Sequence, residues 1–341
     1  MIDPTSIRAI LALLVPSIEE HRNSRPHPFI LALSGLQGSG KSTWAAALKS
    51  ALSQYHGYNT HVLSIDDLYR DHDDLVALRN RHPENKLLRT RGQPGTHDEE
   101  LARRFFLGLA GESDVKDVIP WPTYDKSLNG GQGGRVPEDK WERVPLDPPI
   151  DVLIFEGWCL GFEPLGDTEV SQKWNEALKR KCDAAGGSFA TATLADHSLE
   201  DLLLINENLR RYCETFLNPA RFNGFLHLDT DNLVNVYHWR IDQERQLRKR
   251  KPGMSDDEVV EFVRGYMPSY ELFLRRLQTN SLFANSAVES RRKHIRCSAL
   301  LCSQALGDSA RSLRFSLENL AGHDMLLSRG GAANTPRSTP V

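Results

Sequence analysis

The sequence predicts an α/β protein with a doubly wound, mostly parallel sheet flanked by helices. Three observations carry that prediction. An apolar run at residues 29–33 leads directly into a glycine-rich loop. An alanine- and leucine-rich stretch without a helix breaker, residues 43–52, follows the loop. Further apolar runs at residues 61–65 and 151–155 end in Asp66-Asp67 and Glu156-Gly157. Unbroken apolar runs suit strands buried on both faces, and acidic groups at strand ends stand where open α/β sheets hold ligands.

Along the chain, residues 7–15 form an apolar run that Arg8 interrupts, too short to span a membrane. Asp3 precedes it and Glu19 and Glu20 follow, which is not the pattern of a signal peptide. It reads as the buried face of an amphipathic helix. Residues 120–149 are dense in proline and glycine around Trp121, Tyr124 and Trp141, so a long ordered loop or flap is expected there. Residues 163–220 read as a helical insertion, with helices over 170–182 and 199–216 separated by Gly186-Gly187. A strand at 225–228 precedes a long charged helix over 233–251, which stops at Pro252-Gly253. Ser255 and Glu258 then form a capping box for the next helix. The expected division is a main domain over residues 1–277 and a C-terminal segment over 278–341, disordered at 330–341.

Composition narrows the function. Hydrophobic residues make up 40% of the 341-residue chain and charged residues 26%, values of an ordinary globular protein. A formal net charge of -3 argues against a protein whose main task is neutralising nucleic-acid phosphates. The cysteines, Cys159, Cys182, Cys213, Cys297 and Cys302, form no CxxC pair, so neither a disulfide framework nor a zinc site is expected. A cytoplasmic protein follows, with the nucleus also open, and with neither nucleic acid nor membrane as partner. Nothing in the sequence speaks to oligomeric state.

The glycine loop carries the first chemistry. Gly35-Leu36-Gln37-Gly38-Ser39-Gly40-Lys41-Ser42, with Thr43 opening the helix, matches GxxxxGK[ST] between a strand and a helix. Glycines let backbone N–H groups converge on a phosphate, and the helix points its positive end at it. Lys41 neutralises β- and γ-oxygens, and Ser42 ligates magnesium. ATP and Mg2+ are therefore the expected cofactors. No guanine reader is present, since Asn85-Lys86 runs into Leu87-Leu88. Nor does Phe155-Glu156-Gly157 have the acidic pair of motor ATPases. A metabolite kinase is left, in which a carboxylate must stand near the acceptor hydroxyl, and Asp66 is positioned for that. Asp66 and Asp67 also read as an N-cap pair; both roles can hold, one for each aspartate.

Five segments together, the glycine loop, Ser64-Ile65-Asp66-Asp67-Leu68-Tyr69, Arg91-Gly92-Gln93-Pro94-Gly95-Thr96-His97-Asp98, Pro122-Thr123-Tyr124-Asp125-Lys126-Ser127 and Phe155-Glu156-Gly157-Trp158, carry a family likeness. Over residues 28–275 the chain resembles the glycerate 3-kinase branch of the phosphoribulokinase, uridine kinase and pantothenate kinase superfamily, and most of all its fungal ATP-dependent kinases. The resemblance implies a P-loop NTPase-type fold that transfers the γ-phosphate of MgATP to a small metabolite's hydroxyl, D-glycerate foremost. It implies Asp66 as base and Glu156 beside Ser42 on magnesium. Tyr124, Asp125 and Lys126 would line the acceptor pocket, with Asp67 and Tyr69 also on that side, and His97 and Asp98 would recognise the acceptor. An acceptor with its own carboxylate requires cations, and Arg91, Lys126 and Arg135 are available. The stretch from Trp239 to Arg248 resembles the superfamily's lid helix, which makes Arg240 and Arg245 candidates for stabilising the transferring group; a solvated basic helix is the plainer alternative.

Two other functions stay open. A nucleoside such as uridine could be the acceptor, its base stacked on Tyr124. A catalytically weak ATP-binding regulatory protein could use the insertion at 163–220 as a partner surface, although Asp66 and Glu156 together argue against it. The chain departs from its relatives at the tail: residues 294–301 fit their closing strand, but the Asp-Arg ending that helps hold adenine is missing.

Overall fold

A computed structural model describes residues 2–25, 27–113, 117–181, 189–283 and 292–298, together with the backbone of two further strands at Phe315–Asn319 and His323–Leu326. Helix α1 (Pro4–Ser24) starts where the Asp3 carboxylate accepts from the Thr5 N–H at 3.1 Å, and it buries Ile10, Leu14 and Ile18. Strand β1 (Phe29–Gly35) leads through the glycine loop into α2 (Lys41–His56). Strand β2 (Thr60–Ser64) ends in a 3-10 turn, Ile65–Leu68, followed by α3 (His72–Arg81) and α4 (Glu99–Leu109).

Four short strands come next: β3 (Val118–Trp121), β4 (Tyr124–Asp125), β5 (Gly134–Arg135) and β6 (Glu142–Pro145). Beyond β7 (Val152–Gly157) lie α5 (Asp167–Lys181), α6 (Leu199–Glu214), β8 (Gly224–Asp229), α7 (Val234–Arg248) and α8 (Asp256–Arg264). A π turn at Tyr270–Leu274 precedes β9 (Lys293–Ser298), β10 (Phe315–Asn319) and β11 (His323–Leu326).

The main sheet runs β11-β10-β9-β8-β1-β7-β2. Strands β2, β7, β1, β8 and β9 are parallel, and β10 and β11 add an antiparallel edge. β7 is buried along its whole length and β1 nearly so, which is why both read as unbroken apolar runs. Their register sets Leu33 beside Glu156 and, across β2, Ser64 beside Glu156. The glycine loop, Glu156 and the turn carrying Asp66 thereby gather at one end of the sheet.

Residues 120–149 differ from the loop expected of them. They pair into two small antiparallel ladders, β3 with β6 and β4 with β5. Ladders this short tolerate Pro120 and Pro145, and indole hydrogen bonds fasten them: Trp121 donates to the Val62 carbonyl at 3.1 Å and Trp141 to that of Val136 at 2.6 Å. The two insertion helices form close to their expected places, while the Gly186-Gly187 break and residues 330–341 lie outside the described residues. Strands from both sides of the expected boundary at residue 277 share one sheet, because β9 pairs with β8 from Gly224 beside Lys293 to Asp229 beside Ser298. No helix among the described residues is long and apolar enough to cross a membrane.

Candidate active site

The loop after β1 turns on Gly38, whose φ of 83° lies in the left-handed region. A Cβ there would stand 2.7 Å from the Trp239 Cβ, so glycine is what lets α7 seat directly on the loop. Gln243 fastens that contact by donating to the Gly38 carbonyl at 3.2 Å. From below, the Gln37 N–H donates to the Tyr270 hydroxyl at 3.2 Å, a position that the π turn gives Tyr270. Lys41 Nζ donates to the Leu36 carbonyl at 3.0 Å. Ser42 Oγ donates to Glu156 Oε1 at 3.0 Å.

Gln37, Gly38, Gly40, Lys41, Ser42 and Thr43 face a cavity of about 210 Å³, together with Asp66, Lys126, Glu156 and Arg240. Gly35, Leu36 and Ser39 do not line it: Leu36 and Ser39 are buried beneath the loop. Burial holds the Lys41 ammonium below its usual pKa, against the pull of Glu156 and Asp66. The Ser42 hydroxyl and the Glu156 carboxylate offer two hard oxygens side by side. Among the described residues no cluster of three or more His, Cys, Asp or Glu could cage a metal. That donor set suits an ion such as magnesium, which keeps waters and phosphate oxygens as its other ligands.

Asp66 and Asp67 take different places. Asp67 closes a capping box, accepting from the Ser64 N–H at 3.2 Å, and burial raises its pKa to about 6. Asp66 faces the cavity and meets Lys126, Nζ to Oδ2 at 2.5 Å. Burial pushes the Asp66 carboxyl up, but the Lys126 ammonium outweighs it and holds the group below the usual range. The Tyr69 hydroxyl lies within hydrogen-bonding reach of Asp66 and of Tyr266. At Gly92 (φ 146°) a Cβ would lie 2.5 Å from the Tyr266 hydroxyl oxygen, so the 91–98 loop needs glycine to approach it.

His97 and Asp98 form a layer behind this surface and do not line the cavity beside the glycine loop. The Tyr212 hydroxyl accepts from the Gly95 N–H at 2.7 Å and the His97 N–H at 2.9 Å, and it lies 3.1 Å from His97 Nδ1. With its oxygen so occupied, Tyr212 gives its one proton to Nδ1, which leaves the His97 proton on Nε2. Burial lowers the His97 pKa to about 3, so the ring stays neutral, stacked on Tyr69 with centroids 4.3 Å apart. Asp98 caps α4 by accepting from the Leu101 N–H at 2.9 Å, and it holds Arg135 at 2.7 Å. Arg135 also donates to the Tyr69 carbonyl at 3.0 Å.

Arg91 donates to the Gly131 and Gln132 carbonyls and lies over the Tyr124 ring, 5.7 Å from its centroid. Asp125 turns outward and caps Ser127, accepting from its N–H at 2.8 Å. The lid arginines separate. Arg240 lines the cavity, whereas Arg245 lies outside it, bound with Arg248 to Asp256 on α8. The helix phase that points Arg240 at the loop carries Arg245 toward α8. A larger cavity of about 360 Å³ opens at the other end of β1, beside Phe29, Ile30 and Asn223, and includes none of the motif residues.

No protein-family model matches the chain. It is 34% identical over 275 residues to the uncharacterized kinase mug58 of Schizosaccharomyces pombe, covering 80% of this chain and 91% of that protein. To the probable ATP-dependent kinase TDA10 of Saccharomyces cerevisiae it is 33% identical over 253 residues, covering 72% and 78%. The chain belongs to this kinase family. A solved structure of D-glycerate 3-kinase from Cryptococcus neoformans superposes with a TM-score of 0.72 at 29% identity, over 87% of this chain and 97% of that one. The kinase is an ATP-dependent phosphotransferase on the P-loop kinase fold, and its other substrate is a small molecule.

Several side chains that shape the kinase's site carry no motif. Tyr212, Tyr266 and Tyr270 sit in helical stretches where their spacing reads as core, yet each reaches a loop of the site. Glu244 is buried beside Arg240, which donates to it at 3.2 Å, and it also accepts from the Met254 N–H at 3.0 Å. It ties the cavity arginine to the turn between α7 and α8. No sequence signal marks it, since one more charge on a charged helix does not stand out.

Proposed function

We propose that this kinase phosphorylates a hydroxyl of a small hydroxy acid, with D-glycerate the leading acceptor. One observation carries the reading: Asp66 opens into the same cavity as Lys41, Ser42 and Glu156, so an acceptor-side carboxylate faces the phosphate loop. In this reading the loop's N–H groups and Lys41 hold the β- and γ-phosphates. Ser42 and Glu156 hold a magnesium ion, which supplies charge neutralisation to the phosphates when bound. Asp66 orients the acceptor hydroxyl and takes its proton, and Arg240 stabilises charge on the transferring group. Tyr69, Tyr124, Arg91 and Lys126 form the acceptor side. Arg135, His97 and Asp98 support it from behind.

The surroundings of Tyr124 favour a hydroxy acid over a nucleoside. Arg91 covers its ring, and Tyr69 meets it edge-on at 5.3 Å, which occupies the surface on which a base would stack. Cations near the acceptor side suit a carboxylate. The similarity to the D-glycerate 3-kinase of Cryptococcus neoformans points the same way.

A coupled ADP-release assay with D-glycerate, uridine, cytidine and pantothenate, on wild type and Lys41→Ala, tests the reading. D-glycerate alone is expected to stimulate ADP release, and Lys41→Ala to abolish it. Stimulation by uridine or cytidine would replace the hydroxy acid with a nucleoside. No stimulation despite intact ATP binding would favour a regulatory protein.

A further inference from the structure

The cavity that holds Asp66 also holds its counter-ion, and the two partners differ in freedom. Asp66 is fixed on a capped 3-10 turn, its side chain only 22% exposed. Lys126 follows the two-residue strand β4, and its side chain is 57% exposed. Arg135 is committed to Asp98 and the Tyr69 carbonyl, and Arg91 to the Gly131 and Gln132 carbonyls. Lys126 is thus the acceptor-side cation on a flexible stem that lines the phosphate cavity.

An aspartate beside an ammonium is a poor proton acceptor, because the ammonium stabilises the charged form. Asp66 can take a proton only as Lys126 withdraws. A lysine so exposed is held weakly, and it withdraws most readily when another anion offers itself as partner.

We propose that Lys126 makes negative charge on the acceptor a condition of catalysis, by leaving Asp66 for the acceptor's carboxylate and so freeing the base only when an acceptor is bound. This rests on Asp66 acting as the acceptor-side base. In the transfer, the acceptor oxygen bonds to the γ-phosphorus as the bond to the β–γ bridging oxygen breaks. ADP keeps that electron pair, and the hydroxyl proton passes to Asp66. Water in place of the acceptor would give ADP and inorganic phosphate by the same steps. Water brings no charge to draw Lys126 away, so the pair suppresses wasteful hydrolysis.

The test uses the full chain as wild type, Lys126→Met, Lys126→Arg and the double variant Lys126→Met/Asp66→Asn. ADP release is measured without acceptor, with D-glycerate, and with glycerol as its neutral counterpart. Lys126→Met is expected to raise acceptor-free hydrolysis by about tenfold or more, toward the scale of one freed proton-transfer group. It is also expected to narrow the preference for D-glycerate over glycerol, and Lys126→Arg to restore both. The double variant loses the added hydrolysis. The acid limb of the hydrolysis profile moves to higher pH in Lys126→Met, since Lys41, Asp67, Tyr69, His97 and Tyr266, which also face Asp66, are unchanged.

Unchanged acceptor-free hydrolysis and an unmoved acid limb in Lys126→Met overturn the proposal. That arm needs no acceptor, so it decides even where D-glycerate fails to stimulate wild type. The latter result counts against D-glycerate as acceptor alone.

Discussion

Ser42 Oγ donates to Glu156 Oε1 at 3.0 Å, joining the first turn of α2 to the tip of β7 across the mouth of the cavity. In the proposed function these two oxygens would hold a magnesium ion, which would supply charge neutralisation. Glu156→Gln preserves the hydrogen bond, since an amide oxygen accepts as well, but removes the charge. The magnesium concentration for half-maximal turnover is expected to rise by about tenfold or more, the usual scale for disturbing a metal site's surroundings. An unchanged magnesium titration would take Glu156 out of that role.

Adjacent aspartates with separate roles give opposite signatures. Asp66→Asn is expected to lower turnover by about a hundredfold or more, the range of a catalytic base, with ATP affinity retained. Asp67→Asn keeps an oxygen for the Ser64 N–H and is expected to retain most activity. Turnover in the two variants, set beside nucleotide affinity from calorimetry, separates them; equal losses would contradict the division.

On α7, Arg240→Ala is expected to reduce turnover by about tenfold or more, as for loss of one group stabilising transition-state charge. Arg245 holds Asp256 at the surface, with 57% of its side chain exposed. Arg245→Ala should therefore leave both stability and turnover near wild type, since solvent screens an exposed ion pair. A turnover loss in Arg245→Ala as large as in Arg240→Ala would restore the lid reading of both arginines.

Glu271, on the π turn, accepts from Thr193 N and Oγ1 at 2.6 and 2.7 Å, and burial raises its pKa to about 7. The unfolded chain ionises near the ordinary 4.5 while the folded chain stays protonated. Stability from this group is thus whole below the unfolded value and is lost as pH climbs toward 7. Glu271→Gln does not titrate. Urea unfolding from pH 5 to pH 8 is expected to shift in favour of the variant by up to about 3 kcal/mol, the equivalent of the pKa shift. A stability difference constant with pH would show that Glu271 keeps an ordinary pKa.

What was legible in the sequence was what is local. The strand, loop and helix from residue 29 to 56 follow one another without interruption, and Asp66 and Glu156 fall at strand ends that parallel pairing brings together. The ladders of residues 120–149 were hidden because Trp121 faces Glu142 far along the chain, with no alternation in runs so short. The spacing of the α7 arginines does not say which face of the helix meets Gly38, since the docking of Trp239 and Gln243 decides it. His97 and Asp98 stand in a motif that suggested substrate contact. Their partners, Tyr212 and Arg135, come from elements distant in sequence, and they hold both residues behind the cavity.

The parallel pairing of β9 with β8 also bears on how the chain behaves in solution. β8 is buried and carries Phe225, Leu226 and Leu228 at the centre of the sheet, with β1 on one side and β9 on the other. A chain shortened at residue 277 would leave the β9 side of β8 as an open, apolar edge with unpaired N–H and C=O groups. Such an edge recruits strands from other molecules. The first symptom of such a truncation would be self-association, before any defect in phosphate handling, so the segment least readable in sequence guards the chain against aggregation.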